Sequence, residues 1–205
     1  MIPQHIRKAV VDLRNKAGMP VDINVRGPVQ LDILFNSTPV SHTTLESLSL
    51  STAVQHLLQE GYINNAETVI DLLEDHTLLE GLMYWCAGDG VAFIRAGGYL
   101  PRRRFTAAHE LGHALLHQET MGRYLADAKI NEGDSPENER EREANQFAVE
   151  LLMPEELLHA RAEEMQRDFG ACPRTILVYR LSSELLVSRE TLRYRLMNLG
   201  VGNDE

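Results

Sequence analysis

The sequence predicts an α+β protein, mostly helical, with one small β-sheet near its middle. Two observations predict it. Apolar residues recur at helical spacing near the N-terminus and again over most of the chain beyond residue 100, whereas between Leu82 and Arg95 the pattern changes to short apolar runs of strand type. Helices, then a small sheet, then helices is the order of an α+β architecture with a helical C-terminal end. The 205 residues are 43% hydrophobic and 24% charged, which suits one globular domain or a domain with an appendage.

Residues 4–17 fit a first helix, with Ile6, Val10 and Leu13 on one side and Gly18 and Pro20 ending it. Residues 19–50 hold Gly27, Pro28, Pro39 and many Ser and Thr, and show only a short β-type run at Val29–Phe35. Residues 51–60 read as a helix capped by Ser51 and stopped by Gly61. Asn65 caps a further expected helix over 66–80. Leu82–Cys86 and Val91–Arg95 flank Ala87-Gly88-Asp89-Gly90 and form an expected hairpin. Helices follow at 102–118 and 136–153, the second with Ser135 as cap, Pro136 in its first turn, and Glu137 and Glu139 at the positive end of its dipole. Further helices are expected at 155–168, 174–185 and 189–199.

The formal net charge is −10, and eight of those ten charges fall from Phe105 onward. An acidic chain is a poor general binder of nucleic acid, because phosphate contacts need clustered Lys and Arg. The start of the chain has no apolar segment of signal-peptide type, and no run approaches the ~18 apolar residues of a membrane span. Cys86 and Cys172 stand far apart in no paired spacing and read as thiols of a reducing compartment. The expectation is a cytoplasmic protein.

The informative run is Phe105-Thr-Ala-Ala-His109-Glu110-Leu111-Gly112-His113-Ala-Leu-Leu-His117. Residues four apart share a helix face, so His109 and His113 can offer ring nitrogens to one cation, with Glu110 placed to reach a water as general base. Taken alone, the pattern also fits an amphipathic helix with solvent-facing histidines. Catalytic zinc takes three protein ligands and leaves a position for water, so a third ligand should come from a helix packed on this one. In the stretch from Glu141 to Pro154, Ala144, Phe147, Ala148, Leu151 and Leu152 define an apolar face. At ~100° per residue Glu141 lies about 50° from the middle of that face and Glu143 about 110° away. Asn145 follows Glu141 by four, on the same side, where it can hold the other nitrogen of a ligand histidine. Glu143 reads as a solvated charge, and Glu137 as a helix-dipole residue.

The runs RRRFTAAHELGHALLH and EREANQFAVELLMP resemble the ImmA/IrrE family of metallo-endopeptidases, HExxH glutamate-zincins in which the two motifs occur in this order. The resemblance covers about residues 81–155. It implies a zincin-like metallopeptidase core there. Residues 1–80 depart from the family pattern and are expected to form an N-terminal helical and irregular region packed on the core, and 156–205 a helical, helix-turn-helix-like segment. The resemblance also implies His109, His113 and Glu141 as metal ligands, Asn145 behind them, Glu110 as catalytic base, and zinc (Zn2+), with Mn2+ or Fe2+ able to occupy the same donors. A metzincin would need histidine at position 119, where this chain has Glu119. Pro20-Val21-Asp22-Ile23 matches an element of the family; residues 24–50 match nothing in it and are expected to shape the substrate groove or restrain a partner. Within these 205 residues the C-terminal sensor domain of the radiation-response members is not expected.

The functional expectation is a zinc endopeptidase of narrow specificity. By resemblance its protein partner is a helix-turn-helix repressor of the XRE type, cleaved to release transcription. The alternatives are a catalytically silent regulatory protein on the same fold, and a DNA-binding module. The latter rests on the stretch Leu181–Leu196, where Arg189, Arg193 and Arg195 could touch phosphate. Candidates for the oxyanion donor are Tyr99, Tyr124, Tyr179 and His117, although His117 also suits a helix-end cation. Arg102-Arg103-Arg104 either meets an acidic substrate segment or forms an exposed helix start.

Overall fold

The computed structural model describes residues 2–63, 76–86, 88–118, 124–126 and 136–203. Among these are helices α1 (Gln4–Lys16), α2 (Leu31–Asn36), α3 (Leu50–Gln59), α4 (Leu100–Leu116), α5 (Pro136–Leu152), α6 (Glu155–Phe169), α7 (Arg174–Leu185) and α8 (Arg189–Leu199). The strands are β1 (Val40–Leu45), β2 (Gly81–Cys86), β3 (Asp89–Arg95) and β4 (Tyr124–Ala126). They form one sheet in the order β1-β3-β2-β4, with β1 parallel to β3 and the other pairs antiparallel.

The sheet separates two apolar layers, because successive side chains of a strand point to opposite faces. Leu82, Tyr84, Val91 and Phe93 face α3, together with Leu48, Ala53 and Leu57. Met83, Ala92 and Ile94 face the larger core, which gathers residues from Ile2 to Val201 and includes Ala108 and Leu111 of α4 and Phe147 and Leu151 of α5. The β2–β3 hairpin closes with Cys86 opposite Asp89, and its turn needs Gly88 at φ 101°.

Helices α4 and α5 pack closely along their length. A Cβ added to Gly112 would stand 3.1 Å from the Phe147 side chain and 3.2 Å from the Ala144 backbone. Glycine therefore lets the two helices approach at the level of the HExxH motif.

Several expectations from the sequence change. The run at Val29–Phe35 is no strand: Leu31, Leu34 and Phe35, three and four apart, are buried on one face of α2. Strand β1, unread in the sequence, is a sheet edge whose side chains beyond Val40 are not buried, so it carries little apolar signal. The cap of α3 is Ser49, not Ser51: Ser49 Oγ accepts from the Thr52 amide at 3.2 Å and Thr52 Oγ1 accepts from the Ser49 amide at 2.9 Å, a reciprocal box. Most of the helix expected over 66–80 lies outside the described residues, and residues 76–80 are not helical. The proposed cap Ser135 and the Glu137 side chain also lie outside them. At the C-terminal end α7 and α8 take the expected bounds, with Ser188 Oγ accepting from the Thr191 amide at 3.0 Å and Gly200 ending α8 at φ 66°.

The segment around residues 20–26 lies against α6 and α7. The buried Arg161 of α6 donates to the carbonyls of Ile23 (2.6 Å) and Val25 (2.9 Å) and to Glu184 of α7 at 3.0 Å. Arg26 pairs with Glu164 and Glu184. The neighbouring groove is bounded by Leu151 and Leu152 of α5, ten and eleven residues beyond Glu141, or about 15 Å along the helix.

Candidate metal centre

His109 and His113 project from the middle of α4, 5% and 1% exposed, and their Nε2 atoms lie 2.9 Å apart. Glu141 reaches them from α5: one carboxylate oxygen is 3.2 Å from His109 Nε2 and the other 3.1 Å from His113 Nε2. These three residues can hold a metal ion, since one donor atom from each lies within 4.8 Å of the others. The fit is chemical as well. Ligands ~2.05 Å from a tetrahedral zinc stand about 3.3 Å from one another, close to the spacings seen here. Two neutral imidazoles and a carboxylate are also the donor types of catalytic zinc.

The electrostatics favour a charged Glu141 beside neutral histidines. Burial alone would hold the Glu141 proton, but hydrogen bonds with His109 and His113 outweigh it and bring the carboxyl down to about 2. Burial pushes His113 below the ordinary imidazole value against the opposing pull of Glu141, and its histidine neighbours His109 and His117 add smaller pushes in the same direction as burial. Both shifts prepare groups that ligate only when deprotonated.

Glu110, 1% exposed, points toward the start of β2. A Cβ on Gly81 would stand 2.1 Å from Glu110 Oε1 and 2.7 Å from Thr106 Cγ2, so the strand must carry glycine where it meets this carboxylate. The base candidate thus rests between α4 and the sheet, one residue from a ligand histidine.

Behind the ligands the two histidines differ. His109 Nδ1 lies 3.1 Å from Asn145 Oδ1, the amide expected from the sequence. His113 Nδ1 lies 3.1 Å from Nδ1 of His117, whose Nε2 is 3.0 Å from Glu143 Oε2; the other oxygen of Glu143 is 2.9 Å from His5 Nε2 on α1. Glu143 is therefore no solvated charge, and His117, with both ring nitrogens engaged and 5% exposed, neither faces solvent at the helix end nor turns a ring nitrogen to an oxyanion. The available signal was that His117 follows His113 by four on a buried helix face.

Among the other candidates, Tyr99 is the exposed residue preceding α4, ten positions or about 15 Å from His109. Tyr179 lies exposed beneath the Arg189 guanidinium, 4.3 Å from ring centroid to carbon. The Tyr124 side chain is outside the described residues. Of the arginine run, Arg102 pairs with Glu80 at 3.1 Å and Arg104 donates to the Val29 carbonyl at 2.8 Å, so Arg104 is a structural tie. Arg195 cannot contact phosphate: it is buried, 2.5 Å from Glu150 of α5. A groove of about 920 Å³ runs beside Glu141 and Asn145, with Thr191 and Tyr194 of α8 along its far wall.

Comparison with known proteins gives this geometry a family. Among curated proteins no significant match occurs. Among solved structures, a Mycobacterium tuberculosis transcriptional regulator superposes with a TM-score of 0.53 at 16% identity, over 95% of this chain and 47% of that one. The likeness is one of fold, and the chain spans about half the length of that regulator. The family model for the IrrE N-terminal-like domain (Peptidase_M78) matches residues 81–197, more than half of the sequence, and includes both motif helices. With its metallopeptidase fold, the chain belongs to this IrrE-like peptidase family.

Proposed function

We propose that the protein is a zinc-dependent endopeptidase of narrow specificity whose substrate is a helix-turn-helix repressor of the XRE type. The observation that carries the reading is the convergence of His109, His113 and Glu141 with Glu110 buried one residue from the first ligand. Zinc held there would acidify water and polarise a carbonyl. Glu110 takes the proton of the attacking water and returns it to the leaving amine. Asn145 holds the His109 ring so that Nε2 faces the centre. The groove beside Glu141 gives an extended peptide room, and α8 supplies its wall, a role that suits the acidic C-terminal half better than contact with DNA. The transcriptional regulator of like fold supports a role in gene control.

Elemental analysis tests the centre, and coexpression with a candidate XRE repressor tests the reaction. About one zinc per chain is expected in the parent and far less in Glu141→Ala, with a cleaved repressor only in the presence of the parent. Zinc without cleavage of any such repressor would leave the silent regulatory reading, and no zinc even when supplied would remove the centre.

A further inference from the structure

Behind His113 stands an outer chain of side chains that neither the metal ligands nor the base account for. We propose that His117 and Glu143, with His5 behind them, fix His113 for metal binding and tie helix α1 to the centre; the inference rests on the metal reading above. The hydrogen-bond directions follow from one requirement. For Nε2 of His113 to offer its lone pair to a metal, the ring proton must sit on Nδ1. That proton points at His117 Nδ1, 3.1 Å away, which must accept it. The His117 proton then sits on Nε2, 3.0 Å from Glu143 Oε2, and the carboxylate accepts it. Glu143 Oε1 in turn accepts from His5 Nε2 at 2.9 Å. Each donor meets an acceptor in this direction, and the opposite tautomer of His113 would have no lone pair at Nε2.

Carboxylate to imidazole to ligand imidazole makes His113 a better donor and holds its ring plane, as outer partners of metal-bound histidines do. The two ligands are thus held differently. His109 is held by an amide of α5, whereas the support of His113 crosses from α4 to α5 and on to α1. His5 belongs to the region before residue 81, outside the span matched by the family model.

A purely structural network would hold α1 in place without affecting the metal, so the test separates the two roles. His117→Leu fills the site with neither donor nor acceptor, while His117→Gln can accept from His113 and donate to Glu143. Zinc affinity is measured by competition with a chromophoric chelator, beside the melting temperature of the metal-free protein. His117→Leu is expected to bind zinc about 10–100-fold more weakly, and His117→Gln within a few-fold of the parent. Glu143→Ala should lose about tenfold, non-additively with His117→Leu because both act along one chain. Should His117→Leu not fold, the Glu143→Ala and His117→Gln measurements still decide. Parent-like zinc affinity in Glu143→Ala and His117→Leu, or equal losses in the Leu and Gln variants, would overturn the inference while leaving the metal centre intact. A parent that binds no zinc would remove the metal reading and this inference with it.

Discussion

The α4–α5 and α7–α8 pairs are built to opposite rules. Between α7 and α8 the buried residues are mainly aliphatic, among them Leu177, Leu181, Leu185, Leu192 and Leu196. Helix α4 instead buries Thr106, His109, Glu110 and His113 in a continuous stretch with Ala107, Ala108, Leu111, Gly112 and Ala114. Burying a polar side chain costs stability unless it is paired, and a folding core gains nothing from carboxylates and imidazoles in that position. The difference marks where the candidate site lies: the C-terminal pair packs mainly through aliphatic side chains and leaves an exposed outer face, and the central pair holds the possible metal donors in its interior.

The sharpest way to break the comparison is to disturb the chemistry without disturbing the fold. Glu110→Gln is expected to lower cleavage about 10²–10⁴-fold while zinc content stays at the parental level. Gly81→Ala should give much of the same phenotype from the strand side. Its methyl group would occupy the place of Glu110 Oε1, and moving a base by about 1 Å costs on the order of 10² in rate. Loss of zinc from either variant, measured by elemental analysis, would mean that Glu110 belongs to the ligand set rather than to the reaction.

A comparable free energy is expected in stability where the two regions meet. Arg195 of α8 and Glu150 of α5 form a buried pair, and Arg195 also lies 3.4 Å from the Met153 carbonyl. Removing one partner strands the other charge, so Arg195→Ala should lower unfolding free energy by about 3–5 kcal/mol in urea titration. The double replacement of Arg195 and Glu150 by Met and Leu should recover most of that. No recovery would show that packing, rather than the orphaned charge, sets the cost.

Acid should reveal the central pair next. His113 in the metal-free protein sits below its ordinary value of 6.5, so the unfolded chain binds its proton first and stability falls as pH drops below that value. Glu141 is held down at about 2 against an ordinary 4.5, so it adds a second loss on falling from 4.5 toward 2. Urea midpoints of the metal-free parent should therefore decline in two stages, and Glu141→Gln should shrink the lower one, to which Glu143 and Glu164, also held below the ordinary carboxylate value, contribute as well. A flat profile between pH 7.5 and 5.5 would show that His113 is not held neutral.

The two regions were also unequally legible. The bounds of α7 and α8 and the caps of α8 follow from local signals: Ser188, the leucine spacing and Gly200 all act within one helix and its turn. The convergence of His109, His113 and Glu141 was legible because each helix shows its buried face in sequence. Glu143 and His117 were misread for the complementary reason. Each helix alone gives only its own face, whereas their pairing exists only across α4 and α5, and its last member, His5, is 138 residues from Glu143. Strand β1 escaped for a similar reason, since an edge strand with mostly unburied side chains is defined by the backbone pairing with β3 and not by its own pattern. Residues 24–50 were expected to shape the substrate groove or restrain a partner. The structure places Val25 and Arg26 of that stretch on α6 and α7, through ion pairs and backbone acceptors that have no periodic signature.

The smallest expected effect is the one that tests whether the C-terminal pair is scaffold only. Ser188 accepts the Thr191 amide at the start of α8, so Ser188→Ala leaves that donor to water and should cost about 1 kcal/mol. Helix α8 remains anchored by Leu192, Leu196 and the Arg195–Glu150 pair, which hold it on α5 well beyond its first turn. The loss should therefore appear in the urea midpoint and leave zinc affinity unchanged, because the ligands of α4 and α5 are positioned by Gly112, Phe147 and the outer hydrogen bonds rather than by the α8 cap. A variant that lost zinc in proportion to stability would show that the two helix pairs open together, and that the scaffold takes part in holding the metal.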